Sequence, residues 1–373
     1  MFSTLIKSML ASAALWAAAN TAMALTCTYV DDIRPANGVM PLQISAITVG
    51  RDVPVGTEVY RQKFKVASSQ SPTVRCLYAP YQTLTEMNVN SNIGVTGWSS
   101  GKYANKVYRT GIEGLGVAFG SAGKTMPWKS SSAPAECRPG TICETPLAIL
   151  TEFELVLIKM GDVRPGVLVG GNLPSVSTYA HFNAIRMLAF SMTISGSIQI
   201  VSRTCSTPDV AVPMGTHQTK EFTGLNSTTG WKDFSIVLNN CPAFHGTYST
   251  NAPSWTSQSG DWPSGVGTGG SRTNNSLLFR IDPARLAINV PNGVLSLDPS
   301  PTGAPPAASG VGIQIATANN APMPLGANQS SGLNLRTSEG SYSIPLRARY
   351  LQTGSQVTPG PANASATFTI TYQ

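Results

Sequence analysis

Trp98, Tyr103, Asn105, Tyr108 and Arg109 lie close together in the sequence and could line a shallow recognition site. Aromatic faces stack on sugar rings or apolar side chains, while amide and guanidinium groups supply directed hydrogen bonds. Asp31, Asp32 and Trp128 are candidate partners of the same site. Gly97 and Gly101 flank Trp98 and put it in a turn, where an aromatic ring is exposed. The competing reading is structural, with these rings capping a core or packing a loop. Two other patterns carry chemistry only by spelling. Gly97-Trp-Ser-Ser-Gly101 matches a nucleophile elbow, which needs a serine between strand and helix with acid and histidine partners. No amphipathic helix follows Ser99, although His181 lies downstream. Gly265-Val-Gly-Thr-Gly-Gly270 spells a dinucleotide fingerprint without any βαβ context and reads as a flexible segment. The three histidines are far apart and there is no C-x-x-C, so neither a metal nor a cofactor is implied.

The elements that must position these residues are strands. Charged residues make up only 12% of the chain, against 35 Gly and 27 Pro, which suits turn-rich β structure rather than helical surfaces. Candidate strands cover 42–49, 59–67, 153–160 and 187–194, then 198–201, 234–238, 277–281, 310–315 and 342–350. The stretch 243–276 is too long for a hairpin turn and is expected to be an exposed loop, with Trp255 and Trp262 packing it onto the second half. In the final residues, Ala364, Ala366, Phe368, Ile370 and Tyr372 share one face of a strand, and Ser365, Thr367, Thr369 and Thr371 share the other. Such a strand is either the last wall of a closed sandwich or an edge made for another chain.

Residues 1–24 read as a signal peptide, with Lys7, an apolar run and the Ala22-Met23-Ala24 cleavage site. The run is too short to span a bilayer comfortably. An exported chain with six cysteines implies disulfides. Fifteen pairings are possible, and nearest-neighbour pairing (Cys27–Cys76, Cys137–Cys143, Cys205–Cys241) keeps each bridge within one domain. The net charge of +7 is scattered without a basic run, which argues against nucleic acid as a partner. The expected architecture is all-β, two β-sandwich domains in series over 25–195 and 196–373.

The second domain resembles the pilin domain of chaperone–usher (type 1-like) fimbriae. The resemblance rests on Cys205, on Phe234-x-Ile-x-Leu leading to Cys241-Pro242, and on Gly293-Val-Leu and Gly310-Val-Gly-Ile-Gln-Ile. It continues through Ile344-Pro-Leu-x-Ala-Arg-Tyr350 to Gly360 and the alternating segment with Tyr372 next to last. The resemblance implies an immunoglobulin-like sandwich lacking its seventh strand. Gly360, Ala364, Ala366, Phe368, Ile370 and Tyr372 would then form the strand that binds a periplasmic pilus chaperone and later an adjacent pilin subunit donating a strand. An outer-membrane usher would assemble the fibre. The first domain resembles a fimbrial adhesin or lectin domain more loosely, through Thr110-Gly-Ile-Glu-Gly-Leu-Gly-Val117 and Leu155-Val-Leu-Ile-Lys-Met-Gly161. Cleavage after Ala24 leaves only Leu25 and Thr26 before Cys27, so the mature chain is expected to accept a strand and not to donate one. That places it at the fimbrial tip on the cell surface, as a non-enzymatic adhesin for a host-surface glycan or protein. The alternatives are a structural minor pilin with a non-binding spacer and a secreted serine hydrolase.

Overall fold

The computed structural model describes residues 24–30, 33–67, 70–77, 81–131, 142–148, 152–258 and 264–373. They form β-strands joined by turns, with short 3-10 segments such as Gly101–Tyr103. Alternation explains the first core. Strand Glu58–Val66 turns Tyr60, Gln62, Phe64 and Val66 inward at every second position. Its antiparallel partner Glu152–Lys159 sets Phe153 opposite Phe64, and the rings stack at 4.9 Å. Phe153 also meets Phe190 at 5.9 Å, on strand Ile185–Ser195 of a facing sheet. That sheet runs Trp128–Ser131, Thr83–Asn90, Ser175–Phe182, Ile185–Ser195 and Ala36–Pro41 in spatial order. The buried Gln62 is satisfied, accepting from the Gln43 N–H at 3.0 Å and donating to the Pro41 carbonyl at 2.9 Å.

Leu155, Val156, Leu157 and Ile158 are consecutive and all buried, so strand Glu152–Lys159 is covered on both faces. Tyr103, Val107 and Ala118 pack on Val156 and Ile158, with Trp98 against the same cluster.

The 243–276 stretch departs from expectation. Strand Ser254–Ser257 pairs in parallel with Glu58–Val66, and Gly265–Thr268 pairs antiparallel with Ser254–Ser257. Trp255 packs against the first core and not onto the second, and the glycine-rich fingerprint is a strand and not a flexible segment. The reason is the free edge of Glu58–Val66, whose backbone groups need partners that these Thr- and Ser-rich strands supply. Trp262 lies outside the described residues.

Strand Ser197–Val201 carries Ile198 and Ile200 into the first core, and the chain then passes to a second one. One sheet of the second core orders Lys232–Cys241, Gly340–Gln352, Val311–Thr317 and Val294–Leu295. The other orders Gln329–Ser330, Leu277–Pro283 and Ala366–Tyr372. Ile344, Leu346, Ala348 and Tyr350 alternate inward along Gly340–Gln352. Cys27–Cys76 joins directly opposed residues of Thr26–Val30 and Thr73–Leu77, and Cys205–Cys241 ties the entry of the second core to the end of Lys232–Cys241. Cys137 lies outside the described residues, and with it the expected Cys137–Cys143 bridge.

Candidate functional site

Among the described residues, the terminal strand Ala366–Tyr372 pairs with a strand on one side only. It runs antiparallel to Leu277–Pro283, with Ile370 opposite Phe279 and Phe368 opposite Ile281. Gln373 and Ser276 exchange both backbone hydrogen bonds, at 2.9 and 2.8 Å. Bonded pairs alternate in an antiparallel ladder. Thr371, Thr369 and Thr367 therefore bond to Leu277–Pro283, while the N–H and C=O groups of Tyr372, Ile370, Phe368 and Ala366 point away from it. Among the described residues no backbone partner meets the outward groups of Ile370, Phe368 or Ala366.

Beside this edge lies an apolar cavity of about 360 Å³. Ile281, Ile313 and Ile315 form its floor, Ala364, Ala366 and Phe368 one wall, and Val210, Val212 and Met214 the other. The residues of that second wall alternate between half-buried and exposed, as in an extended chain, yet they make no backbone hydrogen bond to the terminal strand. The space between the walls suits one extended strand with apolar side chains at alternate positions. The tyrosine hydroxyls are spoken for: Tyr350 donates to the Ala362 carbonyl at 2.8 Å, and Tyr372 accepts from the Cys205 N–H at 3.0 Å. Burial pushes the pKa of both phenols up, so neither supplies charge here. Ala364 and Ala366 line the groove, whereas Gly360 serves the backbone's own packing, since a Cβ there would fall 2.3 Å from the Pro306 carbonyl oxygen.

The aromatic cluster expected to bind ligand is split up. Tyr103 and Tyr108 are buried, which corrects their assignment to an exposed site. The apolar run on the back of Glu152–Lys159 needs a roof, and Tyr103 supplies part of it. Its hydroxyl donates to Glu58 at 2.7 Å, and Lys102 and Arg61 bond the same carboxylate. Burial alone would raise the Glu58 pKa, but these bonds outweigh it and hold it at about 2. Trp98 is half-buried and donates to the Ser100 carbonyl at 2.7 Å. Asn105 and Arg109 are exposed, Asn105 in a left-handed turn at φ 59°. Arg109 borders a concavity shared with Glu113 and Asp162. Trp128 lies in the facing sheet, its ring under the Lys124 ammonium at 5.0 Å. Asp31 and Asp32 lie outside the described residues. Ser99 is exposed ahead of the 3-10 turn Gly101–Tyr103, and His181 bonds Glu86 at 2.5 Å on the facing sheet, so the elbow pattern is not assembled as a catalytic site.

The facing sheet carries a polar patch that the sequence reading missed. Glu86 is nearly buried and accepts from Arg186 at 3.1 and 3.3 Å and from Asn88 at 2.8 Å, besides its contact with His181. Burial raises its pKa, and the Arg186, Asn88 and His181 bonds reverse this to about 2. The Arg186 guanidinium stacks on Tyr179 at 3.2 Å. The signal was the every-second-residue spacing of Tyr179 and His181 in one strand and of Glu86 and Asn88 in its neighbour.

The second unit has counterparts in known sequences. The fimbrial protein family model matches residues 189–373. A type 1 fimbrial subunit of Salmonella typhimurium is 32% identical over 186 residues, 48% of this chain and 82% of that protein. Among solved structures, the CupB6 tip adhesin of Pseudomonas aeruginosa covers 93% of this chain and 94% of its own, at 14% identity and TM-score 0.33. The receptor-binding domain of the MrkD1P adhesin of Klebsiella pneumoniae covers 49% of this chain and 99% of its own, at 20% identity and TM-score 0.33. Those two likenesses are too remote to carry a ligand across. The sequence relationship over most of a type 1 subunit shows that this chain belongs to the fimbrial protein family, whose members are structural proteins and not enzymes.

Proposed function

We propose that the chain is a fimbrial tip adhesin of the chaperone–usher kind, with two units that divide the work. The second unit accepts an extended strand, first from a periplasmic chaperone and then from an adjacent subunit delivered at the usher. The first unit presents a binding surface for a host glycan or protein. The observation that carries the assembly half is the unpaired edge of Ala366–Tyr372 above an apolar groove. An exposed apolar slot costs roughly 25 cal/mol per Å² that a donated strand recovers, and the strand also satisfies the free backbone groups. The adhesive half is supported by polar and aromatic groups on the surface of the first unit, with Arg109, Glu113 and Asp162 bordering one concavity and the exposed Arg186 stacked on the half-buried Tyr179.

Co-expression of the full chain with a pilus chaperone tests assembly. A one-to-one complex is expected, and a free, stable monomer with no complex would overturn it. Full chain held in that complex is then offered to arrays of glycans and matrix proteins. Saturable retention is expected. Its absence on every surface would favour the minor-pilin reading, with the first unit a spacer.

A further inference from the structure

The outward groups of Tyr372, unlike those farther back along the strand, are already occupied, and by the first unit. After strand Ala46–Thr48 the chain reaches across, and the Asp52 N–H donates to the Tyr372 carbonyl at 3.1 Å. The Tyr372 N–H in turn donates to Asp52 Oδ2 at 2.8 Å, so the carboxylate stands where the carbonyl of a neighbouring strand would stand. The approach is close: a Cβ on Gly50 would fall 2.4 Å from the Tyr372 carbonyl oxygen. The turn that presents Asp52 is held from below by the buried Lys159, whose ammonium donates to the Gly50 carbonyl at 3.0 Å and to the Arg51 carbonyl.

We infer that Asp52 is a register stop for the acceptor edge: the first unit fills the last bonding position, so a donated strand of alternating apolar residues pairs with Ala366, Phe368 and Ile370 and ends beside Asp52. This rests on the proposed strand acceptance. A stop matters because a ladder of uniform backbone spacing does not by itself fix where an incoming strand ends, and a slip of one residue reverses every side chain of that strand. A fixed end removes that freedom. It also couples seating of the strand to correct docking of the two units.

The test uses full chain refolded with labelled synthetic peptides of alternating isoleucine and threonine. One is a short peptide matched to the free edge, and the others are extended by two residues at either end. Wild type is compared with Asp52→Ala, with Asp52→Asn, whose amide oxygen can still accept, and with Gly50→Ala, which displaces the turn. On wild type and Asp52→Asn, the extension that runs past Ile370 towards Asp52 should not tighten binding. On Gly50→Ala, which displaces the whole turn, the extension past Ile370 should tighten it about tenfold as both outward groups of Tyr372 become free, and on Asp52→Ala, which frees the Tyr372 N–H but keeps the backbone bond to its carbonyl, by less. Circular dichroism confirms that each variant is folded, and amide exchange at Tyr372 should be slow in wild type and Asp52→Asn alone. Peptides that bind but gain equally, or not at all, on all four proteins would overturn the stop. If no peptide binds any of them, strand acceptance itself fails and the stop with it.

Discussion

The two cores differ in how their edges are completed. In the first, strand Glu58–Val66 would be an open edge, but Ser254–Ser257 pairs with it and Trp255 seals the contact. That strand comes from within the sequence of the second core, between Lys232–Cys241 and Leu277–Pro283. In the second, Ala366–Tyr372 is left with three consecutive outward positions unpaired and an empty slot beside it. The chain thus closes one edge with its own residues and leaves another open in the same region of the molecule. Propensity does not separate the two strands, since both are regular and alternating. What separates them is whether this chain carries the next strand.

The largest effect should come from spoiling the open side. Phe368→Asp with Ile370→Asp places one charge in the groove wall and another in the second core beneath the same strand, at a cost of several kcal/mol, so chaperone or peptide capture should fall at least about 100-fold in a pull-down titration. The first unit's thermal transition should be unchanged. Next is the staple of the open unit. Replacing Cys205 and Cys241 together by serine removes a bridge across a separation of 36 residues and should lower that unit's stability by about 3–4 kcal/mol in denaturant titration. On the closed side, Trp255→Ala removes the side chain that seals the borrowed edge. It should cost the first unit about 2 kcal/mol by calorimetry while leaving strand capture intact.

The smallest effect is a pH dependence confined to the first unit. Glu86 is held at about 2 in the folded protein, below its ordinary 4.5. Its stabilising bonds are therefore fully present above about 4.5 and are lost as pH falls towards 2. Glu86→Gln should lower stability at pH 7 by about 1 kcal/mol and flatten the acid slope in that window, and Glu58 should leave a residual slope of the same sign.

Much of this was legible in the sequence because a strand with one buried face writes itself as alternation. Phe368, Ile370 and Tyr372 announced the terminal strand, and Ile344 to Tyr350 announced its counterpart across the groove. Of the fifteen possible pairings, the preferred nearest-neighbour one includes the observed Cys27–Cys76 and Cys205–Cys241. Partnership was not legible. Ser254–Ser257 carries short polar residues that read as loop, and only the vacant edge of Glu58–Val66 makes it a strand. Tyr103 and Tyr108 were grouped with Trp98 by nearness in sequence, but Tyr103 is buried against Val156 and Ile158 of a distant strand and Tyr108 in the first core. Glu86, His181 and Arg186 were invisible as a group because they meet only when three strands register side by side.

Residue-resolved amide exchange on the terminal strand tests the open edge most directly. In the chain without a donated strand, Phe368 and Ile370 should exchange quickly while Thr367, Thr369 and Thr371 are protected by Leu277–Pro283, and a bound strand should slow the first pair alone. Strong protection of Phe368 and Ile370 in the unaccompanied chain would contradict the account.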